Sequence, residues 1–212
     1  MRPLRSTLVM LGLGATLVLG GVARLEAQRA AAGPPDWPCV QRLIPELAWG
    51  TLWTGPSLDE LERDWWEDEE VGRVARFATD RSTPEDEALE RVRDFVASVD
   101  DGAAEERLTL LFAGLFELTD RERRRAIDGI RRASRAQVAR LDDISEMVDE
   151  LEALRDDEQA NEAEIERLSE TLFWEERTFE RRQQALPAMC EQPTLLEEKL
   201  ARMVRMIMAR MP

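Results

Sequence analysis

Methionine and cysteine are the residues of this sequence whose types and spacing could support metal binding or thiol chemistry. Four methionines lie near the C-terminus. Met203, Met206, Met208 and Met211 crowd one short segment, and thioethers bind Cu(I). At about 100° per residue, however, Met206 lies nearer a cationic helix face and Met208 at its edge, so the four sulfur atoms do not converge. We interpret residues 194–211 as an amphipathic helix packed on a core. Contact with a partner or a membrane surface, and copper binding, are the alternatives.

The two cysteines, Cys39 and Cys190, are the other sulfur residues to consider. In an exported chain a single pair predicts one disulfide rather than two free thiols. The bond would close a loop of about 150 residues, which the chain-entropy model associates with about 5 kcal/mol of stabilisation. We therefore expect a structural role for both residues, with no thiolate chemistry.

Histidine and tyrosine are absent from the sequence. Their absence removes imidazole bases, imidazole metal ligands and Ser-His-Asp or Cys-His systems. The sequence also has no glycine-rich phosphate loop after a strand and no calcium-loop spacing. We expect no catalytic activity and no cofactor. A hydrolase that uses two carboxylates is an alternative, although 44 acidic residues nominate no particular pair.

Tryptophans are concentrated in the first third of the chain and are our candidates for partner binding: Trp37, Trp49, Trp53, Trp65 and Trp66. The first three lie in "DWPCVQRLIPELAWGTLWTGP", residues 36–56, whose prolines disfavour a long helix. We interpret residues 28–56 as an extended strap whose tryptophans pack over helices. The alternative is that tryptophans left exposed line a groove for a ligand.

The N-terminus has the pattern of a targeting segment. Arg2 and Arg5 precede an uncharged stretch over residues 6–23, and small residues follow at plausible cleavage positions. We predict that residues 1–27 are a signal peptide and that the protein is periplasmic or secreted. The alternative is an uncleaved anchor that tethers it to the inner membrane through residues 6–23.

The acid excess excludes one class of partner. The sequence has 29 basic and 44 acidic residues and a net charge of −15. Removal of residues 1–27 takes away three arginines and one glutamate and leaves −17. Phosphate binding needs a basic surface, so we expect no nucleic acid partner.

Helix-start patterns divide the rest of the chain. Capping boxes begin at Ser57, Thr119 and Thr194. Apolar residues spaced three and four apart predict three helices, over residues 58–79, 84–99 and 103–118. Residues 57–212 are thus expected to form one all-α domain.

A long helical hairpin is predicted over residues 119–190. Two apolar series with heptad spacing run through it: Ile127, Ile130, Leu141, Ile144, Val148 and Leu151, then Ile165, Leu168, Leu172, Phe179 and Leu186. Ser134 and Gln137 interrupt the first series. The polar residues 155–161 separate the two and predict a turn. One continuous rod is the alternative, but a disulfide must bring residue 190 back to residue 39.

Charge is polarised along this hairpin. Residues 119–140 hold eight arginines and three acids, whereas residues 141–170 hold thirteen acids and two arginines. A solvated surface explains such a pattern, and a docking site for a basic partner is the alternative.

These observations predict an all-α helical bundle with a long antiparallel coiled-coil-like hairpin and an extended N-terminal strap. The function they favour is that of an exported interaction, scaffold or accessory protein without catalytic activity. Its partner would be another protein, not identified by the sequence, and the hairpin could also join copies of the chain into a homo-oligomer.

Overall fold

The computed structural model describes residues 33–211, and within them it shows an all-α fold without strands. The predicted signal peptide, residues 1–27, lies outside the described residues. The helices are α1 Glu69–Thr79, α2 Glu85–Ser98, α3 Ala104–Asp156 and α4 Glu162–Met208. Short 3-10 turns occur at Trp49–Thr51, Leu58–Glu60 and Asp101–Ala103.

Helices α3 and α4 form an antiparallel hairpin, so the hairpin is confirmed over the rod. The 53 residues of α3 make a helix about 80 Å long. The turn falls in the polar segment that predicted it. There the Asp157 carboxylate accepts a hydrogen bond from the Gln159 backbone N–H at 2.9 Å, and the Asn161 side chain caps α4 by accepting from the Ala163 N–H at 2.9 Å.

The helix start predicted at Thr119 is wrong, because α3 passes through this position without a break. Thr119 and Asp120 are buried in the middle of the helix. Asp120 caps nothing; its carboxylate pairs with Arg124 at 2.8 Å and accepts a hydrogen bond from the Leu47 N–H at 3.4 Å. Asp120, within the predicted capping box, therefore serves as an anchor for the strap.

The helix start predicted at Thr194 is also wrong, since α4 continues through Pro187 and Pro193. A proline inside a helix costs about 3 kcal/mol because it removes a hydrogen bond and crowds the preceding turn. Burial of the apolar face beyond the prolines, including Leu200 and Ile207, opposes this cost. The C-terminal amphipathic segment is thus the end of α4 rather than a separate helix.

The helix predicted over residues 58–79 is shorter than expected. Ser57 caps only a 3-10 turn, and α1 begins at Glu69. The N-cap is Asp68, whose carboxylate accepts hydrogen bonds from the Glu70 and Val71 N–H groups, both at 3.1 Å. Trp65 lies in the turns before Asp68 and is buried in the core.

One core joins α1, α2, the first turns of α3 and the last turns of α4, and we call this part of the molecule the head. Its fully buried side chains include Val71, Val92, Leu108, Phe112, Leu200 and Ile207. Both arms of the hairpin therefore end inside the head, and the remainder of each arm packs mainly on the other arm.

Gly114 lies where α3 approaches Trp65 and Ala75 closely. A Cβ atom at this position would lie 2.9 Å from Cδ2 of Trp65 and 3.0 Å from Cβ of Ala75. We expect Gly114→Ala to lower the free energy of unfolding by about 1–3 kcal/mol, because overpacking outweighs the gain in helix propensity. Gly129→Ala on the same helix is the control. Its nearest side-chain atom is 4.0 Å away, so urea denaturation should show stabilisation by about 0.5–1 kcal/mol. Equal effects of the two substitutions would contradict the packing argument.

Candidate functional site

The strap lies along α3 and is fixed at several points. The predicted disulfide is present: Cys39 and Cys190 are bonded, with Cα atoms 5.6 Å apart, and both pack on Ile130. The Asp36 carboxylate accepts hydrogen bonds from Nε of Arg131 at 3.0 and 3.1 Å. This bond to Arg131 lowers the pKa of Asp36. The strap is therefore held by covalent and ionic contacts as well as by burial.

The five tryptophans predicted as binding residues do not form one surface. Trp53 and Trp65 are buried in the head, and Trp37 and Trp49 are half-buried. Trp66 is 48% exposed and lies edge-on against Trp65. Of this set, Trp66 alone offers a large free surface, and its role in binding stays a prediction.

The two buried tryptophans are satisfied within the fold. Trp53 stacks on Phe112 with ring centroids 4.3 Å apart, and its Nε1 donates to the Pro56 carbonyl at 2.8 Å. Nε1 of Trp65 donates to the Glu117 carboxylate at 2.8 Å. These contacts are typical of core aromatic residues whose polar atom finds a partner.

The exposed apolar side chains of the hairpin were not singled out by the sequence reasoning. Val138, Leu141, Phe173 and Trp174 are between 53% and 60% exposed, and we call these four residues the hairpin patch. Phe173 and Trp174 contact each other edge to face with centroids 5.2 Å apart. The clustering of four large exposed side chains on one arm pair is unusual for surface that contacts water alone.

Two contacts between the arms set the register of the hairpin at this place. Arg140 on α3 forms an ion pair with Glu175 on α4. One turn away, Nε2 of Gln137 donates to the backbone carbonyl of Phe179 at 3.1 Å. Residue 141 of α3 is thus level with residue 174 of α4, and the four residues of the hairpin patch are close along the hairpin axis.

The helical phase places most of the hairpin patch on one flank. Arg140 and Leu141 lie on opposite sides of the stripe of α3 that faces α4. On α4, Glu175 and Phe173 lie on opposite sides of the stripe that faces α3. Because Arg140 and Glu175 contact each other, they mark one flank of the hairpin. Leu141 and Phe173 therefore share the other flank, and Val138, three residues before Leu141, shares it too. We call this the patch flank.

Leu141 falls on the heptad series expected to face α4, yet it is 53% exposed. The arms contact each other through other members of the series, including Ile144 and Leu151, and through Gln137, all of which are buried. On α4 the sequence does contain a signal for exposed apolar side chains. Phe173 and Trp174 are adjacent and so point about 100° apart, which means that a single seam cannot cover both.

A groove of about 500 Å³ lies at the base of the hairpin, beside the head. Glu122 in its wall pairs with Arg81 and Arg125, each at 3.2 Å. Lys199 and the buried Met203 also line the groove, so its wall is partly polar and partly apolar. Lys199 is the chain's sole lysine.

We expect titration of Lys199 to give a pKa below the ordinary lysine value of 10.5. Burial lowers the pKa, and the negative charges of Glu85 and Asp80 oppose the shift without reversing it. The unfolded chain then binds this proton more tightly, so the contribution of Lys199 to the free energy of unfolding rises with pH as the lysine loses its proton. Reductive ¹³C-methylation followed by NMR gives one lysine signal to follow. Asp80→Asn should lower the pKa further, and a value at or above 10.5 would contradict the burial effect.

A second groove, of about 360 Å³, is lined partly by acids, including Glu67 and Glu117. Both carboxylates have structural partners: Glu67 accepts from the Asp64 N–H at 3.2 Å, and Glu117 accepts from Trp65 and pairs with Arg121. The alternative of carboxylate-dependent hydrolysis stays a prediction.

In residues 33–211 the structure shows no group of three or more cysteine, aspartate or glutamate side chains that could hold a metal ion. Met203 is buried in the head, and Met206, Met208 and Met211 pack against the same core. Copper binding by these methionines stays a prediction.

Comparisons with known proteins give no relative. No family model, no curated protein and no solved structure matches the chain.

In the part of the chain that the structure describes, no helix combines the length and the apolar character needed to cross a membrane.

Proposed function

We propose that this is an exported interaction protein without catalytic activity, which presents the patch flank of its hairpin to a protein partner. The observation that carries the proposal is the hairpin patch. Its three members on the patch flank, Val138, Leu141 and Phe173, are each more than half exposed where two long helices lie side by side. Exposed apolar clusters bordered by charged residues are typical of protein contact sites.

The charges around the patch indicate the chemistry of the partner. Residues 141–170 hold thirteen acids and two arginines. A partner that buries the patch must place basic groups along this acidic half, since like charges would oppose contact. The expected partner surface is apolar at its centre and basic on one side.

An oxidising compartment supports the exported part of the proposal. The structure pairs Cys39 with Cys190, and such bonds persist outside the reducing cytoplasm. Together with the targeting pattern in residues 1–27, this favours the periplasm as the site of action.

Site-specific photocrosslinking in the cells that make the protein tests the proposal. A photoreactive amino acid at Phe173 should give covalent adducts with protein, and the additional change Leu141→Asp should abolish them. The control position is Arg73 in α1, which is 67% exposed and lies on the head. Absence of adducts at Phe173, or adducts that persist with Leu141→Asp, would contradict the proposal.

A further inference from the structure

The groove of about 500 Å³ at the base of the hairpin is separate from the hairpin patch and takes no part in the proposed function. Helix α3 lines it with residues from Thr119 to Ile130, over which the helix rises about 16 Å. Helix α4 lines it from Met189 to Met203, and the end of α1 and the segment after it contribute the rest. Clefts that bind small molecules have volumes of about 300–1,000 Å³, so this groove has the size of a ligand site.

The groove is apolar toward the disulfide. Ile130 is fully buried, and Met189 packs with it against the bonded Cys39 and Cys190. Both Ile130 and Met189 line the groove, and Ala126 lies one turn of α3 closer to the head. The disulfide therefore fixes one wall of the groove, and a wall that is already in place lowers the cost of ordering when a ligand binds.

The part of the groove beside the head carries charged side chains, most of which have partners. The carboxylate of Glu122 is shared between Arg81 and Arg125, each at 3.2 Å. The carboxylate of Asp80 accepts hydrogen bonds from the backbone N–H and the hydroxyl of Ser82, at 2.8 and 2.5 Å. These four charged groups are therefore satisfied within the chain.

Lys199 is the cation of the groove that lacks a partner. Among the residues that the structure describes, none forms an ion pair or a hydrogen bond with its ammonium group, although Glu85 and Asp80 lie near it. Glu85 lies 2.6 Å from Nε of Arg202, and Asp80 is held by Ser82. The charged side chains that line the groove are three cations and two acids, so one positive charge is left over.

Burial makes this unpaired charge costly. Lys199 is half-buried, and burial lowers the pKa of its amine because it removes water from the charged form. A bound anion would replace the lost water with a charge-assisted hydrogen bond, which is stronger than a neutral one. A single leftover positive charge matches a singly charged anion, and the carboxylate of an organic acid is such an anion at neutral pH.

We propose that this groove binds a small organic acid, whose carboxylate pairs with Lys199 and whose apolar body lies along Ala126, Ile130 and Met189. The ligand is a free molecule with one carboxylate and an aliphatic or aromatic body. From Ile130 to Val138 helix α3 rises about 12 Å, so the acid binds without covering the hairpin patch.

Isothermal titration calorimetry of the purified, disulfide-intact protein with sodium octanoate tests the site. We expect saturable binding of one octanoate per chain. Affinity should be lower by about tenfold or more for acetate, which lacks the apolar body, and for 1-octanol, which lacks the charge. Absence of saturable octanoate binding would overturn the proposal, and so would 1-octanol that binds as tightly as octanoate.

The variant Lys199→Met removes the charge and keeps a long side chain. We expect it to weaken octanoate binding by about tenfold, and we expect Lys199→Arg, which keeps the charge, to weaken it less. Arg177→Met is the matched control, because Arg177 is exposed on α4 outside the groove and its loss changes the net charge equally. Equal affinities of Lys199→Met and Arg177→Met would overturn the role of Lys199.

A measurement on the parent protein needs no substitution. Octanoate should raise the pKa of Lys199, followed by NMR of the ¹³C-methylated lysine, because a bound anion favours the protonated amine. Asp80 and Glu85 act on the amine with and without the ligand, so the difference reports the bound carboxylate. Octanoate that binds elsewhere, for example at the hairpin patch, would leave this pKa unchanged, and that result would overturn the groove as the site.

Discussion

Replacement of Cys39 and Cys190 by serine is expected to lower the free energy of unfolding by about 3–5 kcal/mol. The two residues are 151 positions apart, and a cross-link over so long a segment removes many conformations from the unfolded chain. The bond also holds the strap against Ile130, so its loss weakens the burial of that cluster.

Urea denaturation of the parent protein and the double serine variant measures this difference. Reductant should destabilise the parent protein by a similar amount and leave the serine variant unchanged, which separates the disulfide from other effects of the substitutions. Equal midpoints for the oxidised parent protein and the variant would show that the ionic contacts of Asp36 and the buried tryptophans hold the strap without the bond.

Trp53→Ala is expected to cost about 3–5 kcal/mol of unfolding free energy. Trp53 is 2% exposed, and its ring lies within 5° of parallel to that of Phe112. The substitution removes the buried indole, leaves a cavity and ends an aromatic contact that contributes about 0.5–1.5 kcal/mol beyond its area.

Trp66→Ala is the matched control for this prediction, because Trp66 is 48% exposed. Its replacement should cost less than about 1 kcal/mol, mainly through the lost edge contact with Trp65. Both variants can be followed by the same urea denaturation. A cost for Trp66→Ala as large as that for Trp53→Ala would show that burial does not distinguish the two residues.

The helical hairpin could be predicted because its signals are local and mutually consistent. The polar residues 155–161 and the apolar series on either side specify two amphipathic helices and a turn. Helix ends were less predictable where a residue has a tertiary partner. Thr119 and Glu122 resemble a capping box in sequence, but α3 runs through them, and the adjacent Asp120 accepts a hydrogen bond from the Leu47 N–H, which is 73 residues away. No pattern within one turn of helix contains that information.

The helix start predicted at Thr194 failed for a similar reason, because α4 continues through Pro187 and Pro193. Pro187 and Pro193 disfavour helix by a local cost, while the burial of Leu200, Met203 and Ile207 beyond them depends on α1, α2 and α3. The contacts of these buried residues with distant parts of the chain therefore decide that the helix continues through the prolines. For the candidate site, the buried role of Trp53 could be anticipated, and the adjacency of Phe173 and Trp174 indicates that one of them is exposed. The exposure of Leu141 could not be anticipated, because a heptad series does not show which of its members lies at the edge of the contact.

Cys190 lies between the two prolines of α4, and this placement has a mechanical consequence. Helix α3 contains no proline and carries backbone hydrogen bonds along its length, so it is the stiffer arm. In α4, two missing N–H groups make residues 187–193 the segment of least bending resistance. The covalent link to the strap braces this segment against α3. Reduction of the bond would therefore lower the bending resistance of α4 at residues 187–193, while the contacts with α3 nearer the tip of the hairpin remain.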